Sequence, residues 1–134
     1  MNVSVHLRSL PDTEAVVGWA GGHTIIADRP AGEAGGQGLG FNGAELLALA
    51  VGGCFCNDLR YVAEEQGVKL TEISVNVSLE LKGKPLLATS ATLSVRCKTF
   101  DNSDPAPIVA MAESSCMVSN SLIRGMQVSV SMSA

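Results

Sequence analysis

The chain has 134 residues, 46% of them hydrophobic but only 4% aromatic, and a formal net charge of -4. One domain spanning residues 1–134 is expected, burying about two-thirds of its unfolded surface. Its core must be built from Leu, Val, Ile, Ala and Met, and stable dimerisation would add burial. An acidic balance without a basic run argues against nucleic acid as a partner.

The first residues alternate polar and apolar, so no signal peptide is expected. Four cysteines without a secretory segment suggest reduced thiols in a cytoplasmic protein. Their spacing is not that of a zinc module, and neither a metal nor a cofactor is expected.

Met1–Leu10 reads as a strand, with Val3, Val5 and Leu7 alternating with Ser4, His6 and Arg8. Pro11-Asp12-Thr13 turns the chain, and Glu14–Trp19 runs extended. Gly21-Gly22 turns it again, and His23–Asp28 forms a third strand around Ile25 and Ile26. Residues 1–29 are therefore expected to form an antiparallel three-strand meander. Residues 30–43 carry Gly32, Gly35, Gly36, Gly38, Gly40 and Gly43. A phosphate-cradling loop would look similar, but the Lys-Ser/Thr of a Walker motif and the order of a dinucleotide fingerprint are missing. The run reads as a flexible connector that shapes a helix entrance.

The helix it enters is the organising stretch, Asn42–Gly67. Asn42 and Glu45 have the spacing of a capping box, and Gly67 suits the left-handed turn after a last helical residue. From Ala44 to Cys56 the helix is apolar on every side, which suits a surrounded helix. That part is shorter than the roughly 20 apolar residues a bilayer crossing needs, so no membrane is expected. From Asn57 it becomes amphipathic, with Leu59, Val62 and Ala63 inward and Asp58, Glu64 and Glu65 towards water.

Beyond Gly67, Ile73, Val75, Val77 and Leu79 alternate with polar residues. Lys82–Pro85 turns the chain, and Ala88–Phe100 returns with Ala91, Leu93, Val95 and Cys97 on one face. Asp104 caps a second helix opened by Pro105, with Ile108, Met111, Ala112, Ser115 and Cys116 on its inner stripe. Ser119–Arg124 is a short helical segment ended by Gly125. Gln127–Met132 is expected as a last strand, with Val128, Val130 and Met132 inward. Residues 44–134 thus supply a helix, a hairpin, a helix and a strand, and the whole is α+β.

Cys54 and Cys56 point in nearly opposite directions on their helix, so at most one faces a site. Cys97 falls on the core face of a strand, where a thiol is normally inert. Gly52-Gly53 costs the helix about 1 kcal/mol per glycine and is expected where a backbone or a partner subunit approaches closely. A metal site from Cys54 or Cys56 with Cys116 and His23 is disfavoured, because no pair of these ligands has helical or turn spacing.

The segments GxNGAELLALAVGGCF, LRYVAEEQG and CMVSNSLIRG together resemble the OsmC/Ohr family of redox proteins, over essentially the whole chain. The resemblance implies an intertwined homodimer, with antiparallel sheets of both chains wrapped around a long buried central helix. It also implies a thiol-dependent peroxidase acting on small hydrophobic organic hydroperoxides in oxidative stress defence. Cys54 would be the attacking thiolate and Cys116 the thiol that condenses with its sulfenic acid, the disulfide being reduced by an external dithiol. The family's site glutamate stands ten residues before the first cysteine, where this chain has Ala44; Glu45 stands nine before. The family's His-Cys-Pro is Ser115-Cys116-Met117 here. Arg8, with Arg29 in reserve, is the candidate for the activating arginine, and Glu45 is either its partner or only a cap. The competing expectation is a non-catalytic dimer holding a ligand in a hydrophobic interface pocket.

Overall fold

The computed structural model describes residues 1–133, and the chain divides into two compact units, 1–48 and 49 onwards. The first unit is the expected meander: β1 (His6–Ser9), β2 (Val16–Ala20) and β3 (His23–Ala27) pair antiparallel in chain order. β1 is shorter than its alternating sequence. Val3 and Val5 lie outside the ladder at 85% and 61% exposure, so the period-2 pattern there has no partner strand among the described residues.

The Gly-rich connector is built around a carboxylate rather than left as a free tether. The buried Asp28 accepts hydrogen bonds from the backbone amides of Arg29, Gln37 and Leu39, at 2.8, 3.1 and 3.0 Å. Those bonds, Leu39 first, hold its carboxyl below the usual range, with Arg29 adding its charge. Amides that would cradle a phosphate are thus already occupied. Glycine is required at Gly36, where a Cβ would sit 2.6 Å from the Arg29 carbonyl oxygen.

The boundary between the units falls inside one continuous helix, α1 (Gly43–Glu65). Its start is the expected capping box. Glu45 N–H donates to Asn42 Oδ1 at 2.9 Å, and Asn42 N–H donates to Glu45 Oε1 at 3.0 Å. It ends as expected at Gly67, whose φ is 67°. At 23 residues the whole helix is long and apolar enough to cross a membrane, so length alone does not exclude that. A third of its apolar window is buried within the chain.

In the second unit, Phe55, Leu59, Val62 and Ala63 of α1 form the core with Leu70, Ile108 and Ala112. A hairpin of two 13-residue strands, β4 (Leu70–Lys82) and β5 (Leu87–Thr99), lays Ile73, Val75, Leu93, Val95 and Cys97 against that core. Gly52 has its reason here, because a Cβ would meet Val77 Cγ2 at 2.8 Å. Gly53 meets nothing within 4 Å. Only one face of α1 is buried in the chain; Leu49 and Tyr61 stay exposed.

α2 (Ala106–Ser115) starts one residue after Pro105, with Asp104 Oδ1 accepting from the Ala106 amide at 3.0 Å. Its inner stripe is narrower than expected. Ile108 and Ala112 are buried, whereas Met111 is exposed and the Ser115 hydroxyl donates back to the Met111 carbonyl. α3 (Met117–Arg124) follows and ends at Gly125.

The expected last strand is absent. Residues 127–132 form no ladder, and Val128, Val130 and Met132 are 79%, 93% and 97% exposed rather than inward. Alternation specifies which face a strand would bury, but a strand exists only where another backbone accepts its hydrogen bonds.

Candidate active site: two thiols and a carboxylate

Cys54 lies in the middle of α1, one turn before Asp58. Residues four apart share a helix face, and the Cys54 thiol donates to Asp58 Oδ2 at 3.6 Å. Asp58 is therefore half-buried beside the sulfur, not directed to water as the amphipathic pattern suggested.

Cys116 arrives from the junction of α2 and α3. It ends the first helix and caps the second, with φ -63° and ψ 113°. This extended residue interrupts the helical run, and its side chain is wholly buried. The sulfurs of Cys54 and Cys116 and an oxygen of Asp58 all lie within 4.8 Å of one another. The two thiols are thus close neighbours, and Cys54 is the more accessible.

The backbone N–H of Val118, in the first turn of α3, lies on the side of the Cys54 sulfur and lowers its pKa. First-turn amides have no intrahelical partner and carry the positive end of the helix dipole, so this placement favours a thiolate. It is outweighed. Burial pushes the Cys54 thiol up, and the neighbouring Cys116 and Asp58 push the same way. Burial likewise raises Cys56 and Cys97, with Arg60 opposing it in both.

Of the residues singled out from the sequence, the structure brings together Cys54 and Cys116. Glu45 has its cap partner, Asn42. Arg8 lies in β1 with its guanidinium 5.4 Å from the Trp19 ring centroid. Arg29 is committed to Asp28 at 3.2 Å and to the Glu14 carbonyl oxygen. His23 is exposed at the start of β3. These four belong to the first unit, and the thiols belong to the second. Sequence reasoning missed Asp58 and the Val118 amide. The Cys54-x-x-x-Asp58 spacing was a usable signal, since it is a helical pair. Nothing in the sequence marks the Val118 amide.

Antiparallel sheets with a central helix, and two thiols within 4.8 Å of each other, define a dithiol centre on an α+β scaffold. The family model of the OsmC-like proteins matches residues 35–131, and the chain belongs to that family. A search of the curated proteins found no match. Among solved structures, the chain is similar to an OsmC-like protein from Mycoplasma pneumoniae at 15% identity and a TM-score of 0.75, covering 92% of this chain and 88% of that one. It is similar to an organic hydroperoxide resistance protein OsmC from Legionella pneumophila at 23% identity and a TM-score of 0.63, covering 93% and 90%. It is also similar to the organic hydroperoxide resistance protein OhrB of Bacillus subtilis, at 22% identity, a TM-score of 0.58 and 90% coverage of both chains. At these identities the likeness shows the fold.

Proposed function

We propose that the protein is a thiol-dependent peroxidase for organic hydroperoxides. One observation carries the reading: two free thiols lie within 4.8 Å, the first accessible and the second buried. The Cys54 thiolate attacks one peroxide oxygen and the O–O bond breaks, leaving Cys54 as a sulfenic acid. The departing alkoxide takes a proton and leaves as the alcohol. Cys116 then displaces the sulfenic oxygen as water, forming the disulfide before over-oxidation. An external dithiol returns two electrons and two protons in a reducing, cytoplasmic setting.

Burial and Asp58 oppose the thiolate, so the reading needs a cation near Cys54 in the working protein. Arg8 is the better candidate, since it has no ion-pair partner among the described residues while Arg29 is held by Asp28. Glu45 would hold that arginine while also capping α1. The test is a stoichiometric dose of cumene hydroperoxide followed by peptide mapping. A Cys54–Cys116 disulfide is expected, with Cys97 unmodified. Equal slow oxidation of parent and Cys54→Ser would end the peroxidase reading in favour of a non-catalytic binding protein.

The working form in this reading is a homodimer. Ten hydrophobic residues are buried in the single chain, against twenty large ones exposed among the described residues. The open side of Gly53 and the unpaired 127–132 segment are where a second copy would supply cover. Light scattering at micromolar concentration checks this; a folded monomer as the main species would refute it.

A further inference from the structure

We propose that Cys54, Asp58 and Cys116 form a binding site for a thiophilic divalent cation, with Zn²⁺ as the fitting ion. The inference does not rest on the peroxidase reading; it needs only the reduced thiols and the carboxylate. Thiolate sulfurs bind zinc at about 2.3 Å and carboxylate oxygens at about 2.1 Å, so a tetrahedral site separates S from O by about 3.6 Å and S from S by about 3.8 Å. The Cys54 sulfur and Asp58 Oδ2 already stand 3.6 Å apart. All three donor atoms lie within 4.8 Å of one another, so closure around an ion takes side-chain shifts of about 1 Å.

The chemistry of the donor set points the same way. Two thiols and a carboxylate within 4.8 Å of one another repel once all are ionised. A divalent cation offsets that repulsion, taking both thiolates and releasing their protons. Two soft sulfurs select zinc over magnesium or calcium, which prefer oxygen cages. The geometry is also anchored from two sides. Cys54 and Asp58 share one face of a rigid helix, and Cys116 is fixed at the break between two others. Cys116 is buried while Cys54 and Asp58 are half-buried, so the fourth coordination position opens on their side, for water or an exogenous ligand.

A consequence follows for regulation. The same two sulfurs hold the ion or join as a disulfide, but not both. Metal loading therefore withholds the thiols from oxidants, and disulfide formation releases the ion.

The test uses the reduced, metal-stripped full chain titrated with Co²⁺, then with Zn²⁺ against a chromophoric chelator. One ion per chain is expected, with a thiolate-to-cobalt charge-transfer band and tetrahedral visible bands that Zn²⁺ abolishes. Loss of an outer hydrogen bond already costs metal sites about 10–100-fold in affinity, so removing a direct ligand in Asp58→Asn should cost on the order of a hundredfold or more. Cys56→Ser and Cys97→Ser should bind like the parent. Asp58→Asn keeps shape and fold, to be checked by circular dichroism, so the test survives if the buried Cys116→Ser does not fold. Absence of the charge-transfer band would overturn the proposal. So would a band surviving Cys54→Ser, or equal affinity in Asp58→Asn. Peroxide consumption by the metal-free protein is read separately, so the two proposals can fail independently.

Discussion

Asp28 and Asp58 are both aspartates held back from bulk water, yet their neighbours give them opposite work. Asp28 is surrounded by backbone amides and a guanidinium, donors that keep their protons at any ordinary pH. It ties the Gly-rich connector into one shape. Asp58 faces two thiols, groups whose protons can leave and whose sulfurs can be oxidised. A carboxylate among fixed donors is structural; beside titratable neighbours it takes part in their chemistry.

The largest expected effect tests the second cluster. Cys54→Ser should consume no hydroperoxide, whereas Cys116→Ser should consume about one equivalent per site and then over-oxidise at Cys54 to sulfinic acid. Mass spectrometry of the Cys54 peptide reads the difference. Turnover by Cys116→Ser comparable to the parent would remove Cys116 from the cycle.

Asp28 should dominate acid stability. Its folded-state pKa lies below the ordinary 3.8, so its stabilisation is present above that value and is lost as pH falls through the depressed one. Urea unfolding midpoints of the parent should therefore drop below pH 4 more steeply than those of Asp28→Asn. At neutral pH the substitution lowers the midpoint, because an amide replaces a carboxylate that accepts from three backbone N–H groups.

Asp58→Asn should reverse that pattern. In metal-free protein it moves the alkylation profile of Cys54 to lower pH, because one anion that raises the thiol is gone. The shift stays modest, since burial is the larger cause and persists. The neutral-pH urea midpoint should change less than in Asp28→Asn, and the opposite ranking would break the contrast between the two carboxylates.

The smallest effect belongs to Glu45→Gln. Glutamine preserves the reach back to the Asn42 amide, so a pure cap loses on the order of 1 kcal/mol or less and keeps its peroxide rate. A loss of rate with the fold intact would give Glu45 a role at the site as well.

What was legible in the sequence was local. The Asn42–Glu45 box, the Gly67 stop and the alternation through Ile73–Leu79 depend on residues a few positions apart. The same physics that sets a helical or strand period makes them readable. Cys54 and Cys116 were singled out by family resemblance, and their proximity needed the chain to return over 61 intervening residues. The last strand shows the limit from the other side. Val128, Val130 and Met132 alternate as a strand should, but a ladder requires a second backbone, and the described residues of this chain offer them none. The Val118 amide has no sequence signature at all, because every residue but proline carries one. Only the break at Cys116 and the start of α3 aim it at the Cys54 sulfur. Periods and caps are decided by neighbours in sequence. The partners of Cys54 were decided by neighbours in space.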